Sequence, residues 1–405
     1  MILMLKNIEK QFNEGLPLIW AFFFLVLSQS IALQGFKVRS VIEYLGLFLL
    51  IIQLIHNVIY RKSKFSISYC ILIFGGLTIG LILQNMSLIL KMKSLVPACI
   101  FGVIFTLSDG VISNIKLLKK ISYSIFFAVL IALFLAIFED LSLFEANGLG
   151  GPLYIGFNGG ILYKNYFSST ILSAFIGLFL SYKLGKGNRF IDVVVMLFLL
   201  FLLFCASSNG TILILLSFLV CLYLILFFEK ITSKLKSYQK KLLIILLLSL
   251  GMLIFIFLYI SVALNNQNYI YRIRGLINYI SSYKFDFFHL IFGNGELAYA
   301  PGNSYVENVI SVTGWDGTLE LAWLNILIKN GIIGVVVYLI VFIRAIIHAS
   351  KCQNTSLKAL IYSIVISLMV SSLVETYIQN IHVIFGIYMF LLLYSCQSIF
   401  NGIYK

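Results

Sequence analysis

Apolar runs about as long as a bilayer is thick alternate with short polar segments along the chain. A hydrocarbon core of about 30 Å needs about 20 apolar residues in a helix, and that template predicts twelve spans in the 405 residues. They lie near 17–34, 40–60, 65–83, 94–108, 121–138, 166–182, 190–206, 210–228, 242–263, 331–348, 357–374 and 382–400. The span at 94–108 is the shortest and contains Pro97. The pattern predicts an all-α polytopic membrane protein in which residues 1–405 form a single integral membrane domain.

Composition agrees with this pattern and excludes a soluble protein. Of the residues, 61% are hydrophobic and only 11% are charged, whereas soluble globular domains carry about 25% charged residues. None of the six cysteines falls in a loop that the topology below places on the extracytoplasmic side, so no disulfide and no cysteine-based metal site is predicted there.

The distribution of Lys and Arg predicts which side of the membrane each loop faces. Cationic residues in short loops sort to the cytoplasm, and seventeen of them lie in even-numbered loops against nine in odd-numbered loops. We therefore expect a multi-pass membrane protein with both termini in the cytoplasm. The net charge of +14 then reflects this topology and attraction to anionic headgroups of the lipid bilayer, so no nucleic-acid partner is predicted.

Two predicted periplasmic loops, 139–165 and 264–330, are much longer than the others. Loops of this length in a compact protein are usually functional or disordered, and the aromatic residues in both argue against disorder. The first is Gly-rich, so it is either part of a site or a lid without chemistry. An enzyme on that side of the membrane has no ATP pool and needs a substrate that arrives activated, such as a lipid-linked sugar.

Cations in these loops are candidates for binding a diphosphate leaving group. Arg272 and Arg274 would provide bidentate bonds to phosphate oxygens. An i, i+2 pair projects to one side only in an extended segment or at a helix end. Lys164 would add a point charge. The alternative is that all three meet lipid headgroups.

Candidate bases for a sugar hydroxyl lie in the same long loop. Asp316 and Glu320 are four residues apart, so a helix would hold both carboxylates on one face and raise the pKa of one of them. They equally suit the first turn of a helix, where acids favour the dipole. His289 is the third candidate. Candidate aromatic platforms for sugars, which an interfacial aromatic belt would also explain, are Trp315, Trp323, Tyr299 and Tyr305.

The order of these features resembles the O-antigen polymerase and O-antigen ligase superfamily over about residues 160–350. The segments that carry the resemblance are YKNYFSSTIL, SSNGTILILLS, RIRG, IFGNG and LNILIKNGIIGVVVYLIVFI. The resemblance implies a GT-C-like glycosyltransferase of lipopolysaccharide or related polysaccharide biosynthesis in the bacterial inner membrane. It implies transfer of glycan from undecaprenyl diphosphate without metal or cofactor, and Arg272 or Arg274 at the diphosphate. The implied partners are an undecaprenyl diphosphate-linked oligosaccharide, a chain-length regulator and a flippase.

The chain departs from that family in two ways, and the second favours a polymerase over a ligase. Many relatives have Ser-Arg-Gly where this chain has Ser208, Asn209 and Gly210, so Lys164 would share the task of the missing cation. Ligases usually carry a histidine shortly before the last Leu-rich helix, where this chain has WDGTLELAW. We therefore expect a polymerase that joins glycan to a lipid-linked repeat unit on the periplasmic side.

The main alternative to a polymerase is a flippase or another transporter. Ion-coupled transport tends to need ionisable residues at mid-membrane depth, each of which costs about 2.5–3.5 kcal/mol on insertion scales. Glu43, Asp192, His56 and His382 all lie near the ends of predicted spans. The sequence is also compatible with a ligase and with a non-catalytic assembly protein.

Overall fold

The structure is a computed structural model. It describes residues 11–61, 66–84, 86–146, 155–185, 189–232, 238–239, 267–299, 311–314 and 321–401. The described helices are α1 Leu16–Leu27, α2 Lys37–Arg61, α3 Ile67–Leu83, α4 Leu88–Leu107, α5 Ile115–Phe138, α6 Lys164–Leu184, α7 Arg189–Cys205, α8 Asn209–Thr232, α9 Gln267–Ser282, α10 Phe287–Phe292, α11 Gly295–Tyr299, α12 Ala322–Lys351, α13 Thr355–Val374 and α14 Ile384–Asn401. A short 3-10 helix spans Ile31–Leu33, and two three-residue strands are β1 Phe144–Ala146 and β2 Ile155–Phe157.

The helices fit an all-α polytopic membrane protein. Within the described residues, eight helices are long and apolar enough to cross a membrane, and three further apolar helices are shorter. Each of these eleven overlaps one predicted span. The predicted span at 242–263 lies outside the described residues, so the total of twelve stays a prediction.

Two helices begin earlier than the hydrophobic pattern indicates. α4 starts at Leu88, before the predicted 94, because Ser87 caps it by accepting a bond from the Leu90 N–H. α12 starts at Ala322, nine residues before the predicted 331, and contains a kink at Gly331 with φ 65° and ψ −165°. The apolar pattern located only the part of α12 that follows this kink.

Serine-rich helices form the interior of the bundle. In α6, α13 and α14 the apolar windows are 78%, 72% and 78% buried, against 28% in α2 and 33% in α8, so the first three are central and the last two face outward. Serine hydroxyls in α6 and α13 donate to carbonyls three or four residues earlier, which satisfies them inside each helix. Small side chains of this kind let neighbouring helix backbones approach closely.

Contacts between distant chain segments fall into two sets, one at each end of the bundle. One end, called the site end below, joins the pairs Gln29–Leu162, Glu43–His382 and Asn165–Glu375. The other, called the distal end, joins the pairs Asn57–Asp109, Tyr69–Arg344 and Lys119–Asp192. All members of the first set lie near predicted periplasmic loops, and all members of the second lie near predicted cytoplasmic loops. Which end faces the cytoplasm stays a prediction from the charge distribution.

The described parts of the 139–165 loop are ordered against the site end. β1 and β2 pair antiparallel, with Glu145 opposite Gly156. The loop then crosses the end of α1, where the Ile31 N–H donates to the Gly160 carbonyl at 2.8 Å. Gly160 has a φ of 80°, and a Cβ there would lie 2.4 Å from the Ala132 carbonyl oxygen. Only glycine fits this close approach, so this part of the loop is a packed cover over α5 and α6.

Candidate functional site

Polar side chains from three helix ends meet at the site end. The Asn165 side-chain amide, at the start of α6, donates to Glu375 Oε1 at 3.0 Å, just past the end of α13. The Ser208 hydroxyl, just before α8, donates to Asn165 Oδ1 at 3.1 Å. Because Ser208 occupies the oxygen of the amide, the NH₂ group of Asn165 is directed at Glu375. The segments YKNYFSSTIL and SSNGTILILLS therefore meet around one carboxylate.

A layer of hydroxyl groups supports this junction from inside the bundle. Thr211 lies 2.8 Å from Ser168 and 3.0 Å from Ser208, measured between their hydroxyl oxygens. The Tyr377 hydroxyl donates to the Asn165 main-chain carbonyl at 3.0 Å. All of these hydroxyl residues are buried. Buried hydroxyl networks whose members are satisfied hold side chains in one arrangement, so Asn165 is fixed from both sides.

The backbone turn that presents Ser208 is unusual. Ser207 has a φ of 51°, one of two positive values at non-glycine residues in the described chain. Left-handed backbone at a residue other than Gly, Asn or Asp is uncommon and carries a small conformational cost. This turn ends α7, begins α8 and places the first N–H groups of α8 beside the junction.

Arg272 reaches the same junction from α9. Its Nη1 atom donates to the Val374 carbonyl at 2.9 Å, one residue before Glu375. The stretch YRIRG is helical, and Arg272 is partly buried whereas Arg274 is exposed. Side chains at i and i+2 point about 200° apart on a helix, so the condition under which both arginines bind one diphosphate is not met in this helix. Arg272 is the arginine at the junction.

Glu375 is the most perturbed acid outside the spans in the described chain. Burial raises its pKa to about 7 from an ordinary 4.5, and the nearby charge of Arg272 opposes that rise. The residue keeps a partly exposed surface, and a Cβ at Gly210 would lie 3.5 Å from Oε1. At neutral pH the group is therefore poised between its protonated and ionised forms.

Lys164 lies beside Asn165 in the first turn of α6. Its main-chain N–H donates to Glu145 Oε2 at 2.7 Å, and the residue is 4% exposed. A Cβ at Gly156 would lie 2.5 Å from Lys164 Cδ and 2.5 Å from the Ala206 carbonyl oxygen. The lysine stem thus runs between the β ribbon and the end of α7, inside the protein rather than along its surface.

The segments IFGNG and KNGIIG interlock in a second cluster at the site end. At the Gly331 kink a Cβ would lie 2.1 Å from the Ile291 carbonyl oxygen, and one at Gly293 would lie 2.6 Å from the Lys329 carbonyl oxygen. The Asn294 N–H donates to the Ile328 carbonyl at 2.6 Å. These contacts need two glycines, which explains the spacing of both motifs.

Gln84 completes this second cluster from the end of α3. Its amide nitrogen donates to the Phe292 carbonyl at 2.6 Å, and its oxygen accepts from the Gly295 N–H at 2.5 Å. The Asn330 side chain donates to the Leu77 carbonyl at 2.9 Å. Most of these bonds engage main-chain groups, so the second cluster anchors the loop that follows α9 to the bundle.

His289 lies in the anchored segment, on the short helix α10. Its Nδ1 atom is 2.5 Å from Asp286 Oδ2, and the Asp286 side chain also accepts the His289 N–H. The hydrogen bond from the imidazole is the main cause that holds the pKa of Asp286 below its ordinary value. Phe285 and Phe287 are exposed on either side of Asp286, which is typical of an interfacial segment.

Two hollows flank α9. One is apolar, about 300 Å³, and is lined by Leu276, Trp323, Leu327, Ile332, Val335 and Leu339. The other is polar and open, about 370 Å³, and is lined by Asn278, Ser281, Ser282, Ser311, Val312 and Gly314. Trp323, a predicted sugar platform, thus lies in an apolar setting, near the Phe342 ring.

Several predicted site residues lie beyond what the structure describes. Asp316, Glu320, Trp315 and Tyr305 fall outside the described residues, and Tyr299 ends α11 with no side-chain description. Among the described residues, no three His, Cys, Asp or Glu side chains group closely enough to hold a metal ion.

The sequence reasoning missed Asn165 and Glu375. Asn165 follows Lys164 directly at a helix start, and Glu375 follows a span directly, with Asn380 and His382 soon after it. An acid at the end of a span, followed by polar residues in a short loop, was the signal available for Glu375. The two residues are 210 positions apart in the chain, so the spacing of neighbouring residues does not indicate that they pair.

Comparison with known proteins leaves the family open. No protein-family model matches the chain, and a search of curated proteins found no relative.

Proposed function

We propose that this protein is a glycan polymerase that transfers a growing glycan from a polyprenyl diphosphate to a lipid-linked repeat unit. The observation that carries the proposal is the convergence of Arg272, Lys164, Asn165 and Glu375 at one end of an apolar bundle. Ionisable residues with a perturbed pKa and a specific charged neighbour cluster at functional sites. The resemblance to O-antigen polymerases agrees with this interpretation.

The leaving group in such a reaction is a diphosphate, and its negative charge needs stabilisation. Arg272 presents a guanidinium beside the junction, and Lys164 brings a second cation to the start of α6. The N-termini of α6 and α8 lie at the same place, and helix N-termini favour anions. Together these groups offset charge that develops on the diphosphate as the glycosidic bond breaks.

The surroundings of α9 suit the two other parts of a lipid-linked sugar. Leu276 follows Arg272 by one helical turn and lines the apolar hollow, so an isoprenoid tail lying there has its diphosphate near Arg272. Asn278 and Ser282, further along the helix, line the polar hollow, whose amide and hydroxyl groups suit sugar hydroxyls. Asp316, Glu320 and His289 stay the bases that the sequence predicts.

Purified protein in vesicles, supplied with undecaprenyl diphosphate-linked repeat units, tests the proposal. We expect longer glycans that remain attached to undecaprenyl diphosphate. Glycan joined to a lipid A core acceptor would instead identify a ligase. Movement of substrate between leaflets without any change in covalent bonds would identify a flippase and contradict the proposal.

A further inference from the structure

Glu375 lies where α6, α8, α9 and α13 meet, and it is held from one side only. Its Oε1 atom accepts the Asn165 amide at 3.0 Å, and no hydrogen bond to Oε2 is found among the described residues. The residue is partly exposed at this end, so the carboxylate is accessible from outside the bundle.

We propose that the Glu375 carboxylate, in place of the sequence-predicted candidates Asp316, Glu320 and His289, accepts the proton of the attacking sugar hydroxyl. This role rests on the proposed function. Asn165 orients the carboxylate through Oε1, since Ser208 fixes the amide of Asn165 in turn, and Oε2 receives the proton. A base must lie within hydrogen-bond reach of the proton that it takes, and the neighbouring Arg272 places Glu375 beside the proposed diphosphate site.

The step balances without any further reactant. The acceptor oxygen forms a bond to the anomeric carbon of the donor sugar as its proton moves to Glu375. The bond between that carbon and the diphosphate oxygen breaks, and its electron pair leaves with the diphosphate, beside Arg272 and Lys164. Glu375 then returns its proton to water or to the released diphosphate, which restores the carboxylate.

The surroundings of Glu375 favour this role over a structural one. Within the part of the chain that the structure describes, the charged and titratable groups that face it are Arg272 from α9, Tyr166 from α6 and Tyr377 in its own loop. From α8, Gly210 lies beside the carboxylate without a side chain. Tyrosines ordinarily ionise near pH 10, and burial raises the pKa of Tyr377 further. Burial raises the pKa of Glu375 to about 7, close to the range in which a histidine such as His289 ordinarily ionises, so the variant that loses the titration identifies the group.

The test compares Glu375→Gln with the wild-type chain in the vesicle assay. We expect kcat to fall by about 10²- to 10⁴-fold, the usual contribution of a general base, with little change in KM for the lipid-linked donor. The wild-type kcat should rise with pH through an apparent pKa near 7, because only the ionised carboxylate accepts a proton. Glu375→Gln should lose that rise.

The control is Glu43→Gln, which changes another carboxylate at the site end. Glu43 pairs with His382 and lies outside the proposed machinery, so its kcat and pH profile should match the wild type. Wild-type turnover by Glu375→Gln, or a wild-type kcat that is flat between pH 6 and 8, would overturn this role alone. Absence of glycan transfer by the wild-type chain would overturn the proposed function and this role with it. If Glu375→Gln does not fold, the pH profile of His289→Gln decides, because a rise of kcat that persists in this variant supports Glu375 and its loss assigns the titration to His289.

Discussion

Two carboxylates at opposite ends of the bundle have very different partners. At the distal end, Asp192 accepts both the Lys119 ammonium and the Tyr123 hydroxyl, each at 2.7 Å, one on each oxygen. At the site end, Glu375 accepts one amide hydrogen bond, and the nearest arginine, Arg272, bonds a main-chain carbonyl instead. Asp192 is 4% exposed, so the better-paired acid is the one that has no route to a substrate.

This difference separates an acid that holds helices together from one that is available for chemistry. A buried carboxylate with a cation and a hydroxyl joins α5 to α7 and is satisfied. Glu375 is partly buried and has one neutral donor among the described residues, and burial disfavours its ionised form despite the nearby charge of Arg272. Perturbed acids of this kind cluster at functional sites. The comparison therefore assigns architecture to Asp192 and reactivity to Glu375.

Removing Arg272 at the site end and removing Lys119 at the distal end should have different consequences. The larger effect on turnover is expected from Arg272. A charge-assisted bond contributes about 1.5–3 kcal/mol, so Arg272→Ala should slow glycan extension by about 10- to 150-fold. Arg274→Ala is the matched control, because Arg274 lies on the same helix but is exposed. Rates of chain extension at equal membrane abundance provide the measurement. Equal losses in the rate of chain extension from both variants would contradict the assignment of the diphosphate contact to Arg272 alone.

At the distal end, Lys119→Met should affect stability instead of turnover. The variant leaves Asp192 with Tyr123 as its remaining described partner. Removing one member of a buried ion pair costs about 3–5 kcal/mol, and because the Lys119 side chain is 32% exposed we expect about 1–2 kcal/mol after solvent screening. Thermal inactivation in detergent measures this change, and extension per folded molecule should stay at the wild-type value. A large fall in turnover without loss of stability would contradict the structural role of Asp192.

The smallest expected effect is on the pH dependence of stability. The pKa of Glu375 is about 7 in the folded chain, above its ordinary 4.5, so the folded state binds the proton more tightly than the unfolded state does. Stability from this group is therefore present at low pH and is lost as pH rises from about 4.5 through about 7. Glu375→Gln should remove this loss and raise the inactivation temperature at pH 8, relative to wild type, by about 1–3 degrees. A variant less stable than wild type at pH 8 would contradict the assignment.

Most of the helical architecture could be predicted from the sequence, because a run of about 20 apolar residues is a strong local signal. The site was only partly predictable. Lys164 and Arg272 were found as cations in predicted outer loops, and the structure places Arg272 at the Glu375 junction. Arg274 was grouped with Arg272 because spacing alone did not show that the segment is helical. Glu375 was missed because its importance depends on a partner, Asn165, 210 residues away.

The kink at Gly331 illustrates the same limit. The glycines of IFGNG and KNGIIG were visible in the sequence as separate motifs. Their contact, with the Gly293 and Gly331 backbones against each other, depends on how α10 and α12 are placed. A local pattern indicates that a glycine is needed at a position, whereas only the fold shows which backbone segment packs against that glycine.

The most direct test of the central claim is a parallel assay of two amide variants, Glu375→Gln and Asp192→Asn. Each retains the shape of its side chain and removes one negative charge. Extension of lipid-linked glycan per folded molecule should fall by about 10²-fold or more in Glu375→Gln and stay close to wild type in Asp192→Asn. Equal turnover by the two variants, or a loss confined to Asp192→Asn, would contradict the assignment of chemistry to the site end.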